Sequence, residues 1–322
     1  IFKIALFKFR KHNTCKFFMK KFVAIVAGEP VSINSEIISK AWKINKKKNL
    51  FIIGNFLLLK KQLHSLGFKI PLIKVKSIND LKFNSKLQIL DVKLDFKLPF
   101  KINKKKRSYV LRCLNIAHDL SINKKIKGFV NAPVDKQIFN SKYLGVTEYL
   151  ASKSNLKNKE VMMIYNKKLS VVPITTHIEI SKITKNIKPG IIEQKIIVLN
   201  NFFINFLKRK PRIAILGLNP HNSENKKSSV ENKIIKPVTL RIKKKGIDIS
   251  GPFPADTMFS KDKRGKYDVV VGMYHDQVLS PFKALYGFDA INITLGLDYI
   301  RVSPDHGTAA DIIGKNKGNP NS

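Results

Sequence analysis

Three histidines stand in one local context. Val171-Val172-Pro173-Ile174-Thr175-Thr176 runs into His177, the segment from Arg212 to Pro220 into His221, and Val269-Val270-Val271-Gly272-Met273-Tyr274 into His275. Each apolar run reads as a buried strand that delivers an imidazole at its carboxyl end. In a parallel sheet those ends share one edge, where α/β proteins carry their chemistry, so the three rings can meet. Three neutral imidazoles with coordination positions left open would form a catalytic site for a divalent metal. A lone histidine after a strand is more often a loop or core residue. For three of the chain's seven histidines, spacing alone leaves both readings open. Cys15 and Cys113 are the only cysteines and form no CxxC pair, which argues against a thiolate zinc site or a disulfide framework and fits a reducing cytoplasm.

The elements that must position these residues alternate between strand and helix along the chain, which predicts the α/β class. Phe22 to Ala27 is a strand candidate, followed by Gly28-Glu29-Pro30 and a helix from Ser35 through Trp42. Leu50 to Gly54 is a second strand and residues 55 to 66 a second helix. Residues 71 to 102, where alternation mixes with lysines, read as short strands and loops without definite bounds. Val110, Leu111, Leu114, Ala117 and Leu120 recur at a helical period, and Gly128-Phe129-Val130 leads into Asn131 to Lys136. Thr147 and Glu148 stand at a helix start. Helices are expected over 178–187, 190–207 and 229–245, and a strand over Ala290 to Leu295. Residues 1 to 18, before Met19, are expected to lie outside the fold.

The chain of 322 residues carries a formal net charge of +39 with 43% hydrophobic residues. Such a charge suggests nucleic acid or an anionic surface. The lysines, however, are dispersed among Asn and Ile in nearly every segment, as an AT-rich genome would produce. No aromatic residues interleave with them as a stacking platform requires. A solvated surface with weak, nonspecific affinity for polyanions is expected, without a specific nucleic-acid partner. No apolar run approaches the roughly 20 residues that span a bilayer, so a soluble, cytoplasmic chain is expected.

From about Phe22 to its end the chain resembles the 4-hydroxythreonine-4-phosphate dehydrogenase family of pyridoxal phosphate biosynthesis. The resemblance is carried by GEP at 28–30, NAPVDK at 131–136, GVTEY at 145–149, TTH at 175–177 and GLNPH at 217–221. It continues through GPFPADTMF at 251–259, MYHDQ at 273–277, NITLGL at 292–297 and SPDHGTA at 303–309. It implies two α/β/α domains flanking an active-site cleft, related to the isocitrate/isopropylmalate dehydrogenase-like fold. The expected domains are 19–130 with 290–322, carrying the cofactor loop, and 131–289, carrying the metal ligands and dimer contacts. A homodimer with a shared active site is implied, one metal ligand coming from the partner subunit.

The family's metal ligands map onto His177, His221 and His275, for zinc, magnesium or cobalt. Its substrate contacts map onto Thr147, Lys283, Asn292 and Arg301. NAD or NADP is expected at His306, Gly307, Thr308 and Ala309, in a stretch without the GxGxxG fingerprint. Lys283, Asp256 and Asp276 are the candidate catalytic residues; either aspartate could orient a metal-bound histidine or move a proton. The implied reaction oxidises and decarboxylates 4-phosphohydroxy-L-threonine to 1-amino-3-(phosphohydroxy)propan-2-one. Four features depart from the family. Val146 stands where it has a substrate-contacting histidine, Ser32 and Asn34 stand in the turn after GEP where it often has glycine, the loop from Asn222 to Ser229 has exchanged glycines for lysines, and the chain stops where the family continues into a last helix. A sister dehydrogenase for a four-carbon sugar-acid phosphate, and a basic nucleic-acid-binding protein, are the alternatives.

Overall fold

Short β-branched runs separated by helices set up the first of two units. The computed structural model describes residues 22–44, 49–83, 85–102, 105–140, 142–156 and 160–321. The expected leader and Cys15 lie outside them. The first unit begins with β1 (Val23–Val26), α1 (Asn34–Ile44), β2 (Leu50–Gly54) and α2 (Phe56–Ser65). The Asn55 side chain accepts a hydrogen bond from Leu58 N at 2.8 Å and caps α2. Glu36 in the first turn of α1 pairs with Lys40 one turn on at 2.7 Å, an arrangement that favours the helix. The segment 71–102 contains two further strands, β3 (Leu72–Val75) and β4 (Leu87–Asp91). α3 (Lys106–Ile122) and β5 (Gly128–Asn131) complete this part.

The second unit holds α4 (Val146–Lys153), β6 (Val161–Tyr165), β7 (Ser170–Thr175), α5 (Ile183–Asn186), α6 (Pro189–Phe202) and β8 (Ile213–Leu216). It continues through α7 (Lys236–Lys244), β9 (Ile249–Phe253), the short α8 (Ala255–Met258) and α9 (Lys261–Arg264), β10 (Val269–Tyr274), α10 (His275–Tyr286) and β11 (Ile291–Leu295). The chain then returns to the first unit with β12 (Ile300–Pro304). The expected helix over 178–187 is reduced to a 3-10 turn and α5. Those over 190–207 and 229–245 are α6 running into a π turn at Phe203–Leu207 and α7 preceded by one at Glu231–Ile235.

In the first unit the strands run in the order β3-β4-β2-β1-β5-β12, every pairing parallel. Ile25, Trp42, Leu50, Ile52, Leu59, Leu63 and Ile89 pack its core, and burying each such side chain contributes about 1.5–3 kcal/mol. In the second unit the order is β11-β6-β7-β10-β8-β9. β6 runs antiparallel to both neighbours, while β7, β10, β8 and β9 are parallel. Ile164, Val171, Leu216, Val270, Val278 and Phe282 form its core.

The units divide at 146/147 and 297/298, not at 130/131 and 289/290. Local bonding explains the difference. Pro133 O accepts from Glu29 N at 3.0 Å and from Asn34 Nδ2 at 2.8 Å, which ties the segment after β5 to the first unit. Residues 291–295 pair with β6, which keeps them in the second.

Candidate functional site

Sheet order brings the three histidines to one edge of the second unit. β10 lies between β7 and β8, Val271 being level with both Val172 and Ile215. His177 follows β7, His275 follows β10 and His221 follows β8, so each leaves the carboxyl end of one of three adjacent parallel strands. Thr175 Oγ1 donates to Met273 O at 2.8 Å and ties two of those ends together.

The imidazoles of His177 and His275 lie 5.7 Å apart between ring centroids. His275 Nδ1 is 2.6 Å from Asp276 Oδ1, and His177 Nδ1 is 3.7 Å from Glu148 Oε1. The first is a hydrogen bond and the second a longer electrostatic contact. A carboxylate at Nδ1 favours the tautomer that leaves the Nε2 lone pair available, which is how metal-binding histidines are commonly held. This donor chemistry fits a divalent cation. His221 does not complete a set, since no three His, Cys, Asp or Glu side chains converge on one point among the described residues. Of the two candidate aspartates, Asp276 is the one that meets a histidine. Asp256 is exposed in the first turn of α8 and pairs with none of the three histidines.

Two residues that sequence reasoning passed over hold the His221 and His275 loops. Gln277 Oε1 accepts from Met273 N at 2.7 Å, and its Nε2 donates to Gly217 O at 2.7 Å. Glu231 is buried, and its Oε1 accepts from Leu218 N at 2.9 Å, Asn219 N at 2.8 Å and Asn219 Nδ2 at 3.1 Å. Burial alone would raise the Glu231 carboxyl, but these hydrogen bonds carry it below the usual range. His221, Asn222, Ser223 and Glu224 then all take left-handed backbone, with φ of 48, 55, 51 and 50°. Non-glycine residues pay a steric penalty in such conformations. Asn222 donates to Pro252 O at 3.0 Å, and a Cβ on Gly217 would overlap its Oδ1. A larger residue there would displace that side chain.

The expected substrate contacts are divided between the units. In the second, Thr147 Oγ1 lies 3.3 Å from Thr294 Oγ1, and the Lys283 ammonium sits 5.2 Å from the centroid of the Phe288 ring. Asn292 lies on β11, and its Oδ1 is buried without a hydrogen-bond partner, an acceptor open to a ligand donor. In the first, Arg301 is buried on β12 and donates through Nε to Asn131 Oδ1 at 2.6 Å. The segment His306 to Ala309 also belongs to the first unit, where Ile33 N donates to Thr308 O at 3.3 Å. Val146 is buried.

Parallel α/β units with imidazoles and carboxylates gathered beyond strand ends are the architecture of an α/β enzyme. Comparison with known proteins gives the particular family. Residues 46–322 match the model of the pyridoxal phosphate biosynthetic protein PdxA, and the chain belongs to that family of dehydrogenases. It is 38% identical over 307 residues to a 4-hydroxythreonine-4-phosphate dehydrogenase of Sulfurihydrogenibium sp., covering 93% of this chain and 94% of that one. It is 33% identical over 303 residues to a D-threonate 4-phosphate dehydrogenase of Salmonella typhimurium, with 91% and 92% covered. The crystal structure of 4-hydroxythreonine-4-phosphate dehydrogenase from Klebsiella pneumoniae superimposes with a TM-score of 0.82 at 30% identity, over 94% of this chain and 95% of that one. No helix among the described residues is long and apolar enough to cross a membrane.

Proposed function

We propose that this dehydrogenase oxidises 4-phosphohydroxy-L-threonine with NAD or NADP and decarboxylates the product, in a cytoplasmic homodimer. The observation that carries this reading is the delivery of His177, His275 and His221 from adjacent strands in a chain of this family. The secondary alcohol loses a hydride and a proton. The resulting β-keto acid loses carbon dioxide, and the enolate takes up a proton to give 1-amino-3-(phosphohydroxy)propan-2-one. Bound nicotinamide cofactor, held by His306, Gly307, Thr308 and Ala309, supplies the hydride acceptor. One zinc, magnesium or cobalt ion supplies Lewis-acid stabilisation of the developing negative charge.

His177 and His275 hold that ion, and a second copy of the chain shares in the set so that His221 completes it. Asp276 and Glu148 fix the tautomers of their histidines. Lys283 and Arg301 bind the phosphate and carboxylate, since ammonium and guanidinium make charge-assisted hydrogen bonds to such anions. Asn292 accepts from a donor on the substrate through its open Oδ1. Thr147 adds a hydroxyl at the start of α4.

The D-threonate 4-phosphate relative supports a second reading, a sister dehydrogenase for that substrate. Replacement of a polar contact by Val146 favours it too. NADH formation with each substrate separates the two, measured before chelation, after it, and after restoring zinc, magnesium or cobalt. Turnover of 4-phosphohydroxy-L-threonine that chelation abolishes and metal restores supports the first reading. Preference for D-threonate 4-phosphate replaces it with the second. No turnover of either in metal-replete protein refutes both.

A further inference from the structure

The stretch that follows the expected cofactor segment is tied to α1 at two places. Ile33 N, just ahead of that helix, donates to Thr308 O at 3.3 Å. Further along, Gly318 N donates to Glu36 Oε1. Lys40 Nζ donates to Asn316 O at 3.0 Å, to Gly318 O at 2.8 Å and to Glu36 Oε1 at 2.7 Å. An ammonium has three donors, and these contacts use all of them. Gly318 is buried although residues 314–317 before it are exposed, and Glu36 is buried as well. A Cβ on Gly318 would come within 2.9 Å of Glu36 Oε1 and 3.2 Å of Ile37 Cγ2, so the fit is close. Between the two anchors the chain turns, Ile312 N donating to Ala309 O and Lys315 N to Ile312 O, each at 3.2 Å. Ala309 takes φ 48°, left-handed backbone that a residue other than glycine keeps only where its surroundings hold it. Gly307 is exposed, and no atom of the described residues lies within 4 Å of where its Cβ would stand, which leaves the backbone open to a nucleotide.

We propose that Glu36 and Lys40 are positioning residues for the nicotinamide cofactor, forming a clasp that closes on Gly318 and fixes the far end of the run that begins at Thr308 and Ala309. The proposal rests on the cofactor segment named under the proposed function. Neither side chain need touch the nucleotide. A run fixed at both ends has little conformational freedom left to lose when a ligand binds against it. Released at one end, it must be ordered at each binding event, and that cost is subtracted from the affinity.

The test combines two readouts on the intact chain, NADH and NADPH affinity from nucleotide fluorescence and hydrogen exchange of the amides in 309–317. Lys40→Met removes the ammonium and keeps an apolar stem. Gly318→Ala opens the same contact from the other side and leaves α1 unaltered. Each should speed exchange in 309–317 and weaken binding of the preferred nucleotide about 10-fold, the scale of ordering a released segment. KM for the nucleotide should rise in step, while kcat at saturating nucleotide stays within about twofold of wild type. Lys40→Arg, which keeps a donor to the two carbonyls, should bind within a few-fold of wild type. Unchanged exchange in both Lys40→Met and Gly318→Ala overturns the clasp. Faster exchange with native nucleotide affinity overturns its role in cofactor binding. So does a loss of affinity that tracks a fall in melting temperature and that arginine does not rescue. Failure of the wild-type protein to bind either nucleotide removes the cofactor reading, and the proposal with it.

Discussion

Glu231→Ala isolates the loop that carries His221. The substitution removes the acceptor for two backbone N–H groups, Leu218 and Asn219, and for the Asn219 amide. A buried donor left without an acceptor costs about 1–3 kcal/mol. Leu218 and Asn219 are only partly buried, so water can reach them and the lower half of that range applies. Two donors at about 1–2 kcal/mol each give a loss of about 2–4 kcal/mol. For a cooperative unit of 150–250 residues each kcal/mol is worth about 2–4 °C, so a 3 kcal/mol loss lowers the melting temperature by about 6–12 °C. Glu231→Gln keeps a neutral acceptor and should lose less.

The pH dependence has a definite sign. The folded-state pKa of Glu231 lies below its ordinary value of 4.5, so its contribution is complete above that value and disappears as pH falls through the lowered one. The stability gap between wild type and Glu231→Gln should therefore be full at neutral pH and close on acidification below 4.5. Urea unfolding followed by circular dichroism across that range measures it. Equal stability of Glu231→Ala and wild type at neutral pH, or a gap that widens in acid, would refute the reasoning.

Gly217→Ala should displace Asn222 from Pro252 and destabilise by about 1–3 kcal/mol, as overpacked sites do, with the loss read from thermal melts. Glu224→Gly should stabilise by about 0.5–1 kcal/mol, because an exposed left-handed residue gives up its Cβ clash; unchanged or lower urea midpoints would contradict this. The Cys113 thiol is pushed up to about 12, with desolvation by burial the main cause. Iodoacetamide should accordingly leave Cys113 unmodified in native protein at mild alkaline pH and modify it in urea, as peptide mapping would show.

The strands carrying the histidines were legible because each is a short, largely apolar run rich in Val or Ile, and such runs are buried on both faces in a parallel sheet. That these strands run parallel was expected from the α/β class, whereas their order, β7-β10-β8, is seen only in the structure. β3 was hidden because Leu72 and Ile73 are only half-buried and Lys74 is exposed, so no clear hydrophobic contrast marks the strand. β6 and its antiparallel pairing were not anticipated: its Val-Met-Met-Ile-Tyr run carries no sign of the direction in which it will pair. Glu231 and Gln277 escaped notice for another reason. Their work is to bond backbone groups 13 and 60 residues away, and a carboxylate or amide that does this has the same sequence signature as one facing water. Glu148 was read as a helix-start residue, and its approach to His177 depends on tertiary placement alone.

The return of β12 to the first unit has a consequence for how the chain is made. β12 pairs with β5 through Arg301 beside Phe129 and Val302 beside Val130, and all of residues 147–297 lie between them. On the ribosome β5 emerges first, and one hydrogen-bonding edge stays bare until the second unit has been synthesised. Closing so long an interval carries an entropic cost that local strand pairing does not. The nascent first unit is thus an incomplete sheet with an exposed edge, the form most prone to pairing with other chains. Arg301 arrives on the very strand that closes that edge, and Asn131 receives its guanidinium only after the second unit has been made. One late event thus completes both the sheet and its buried arginine.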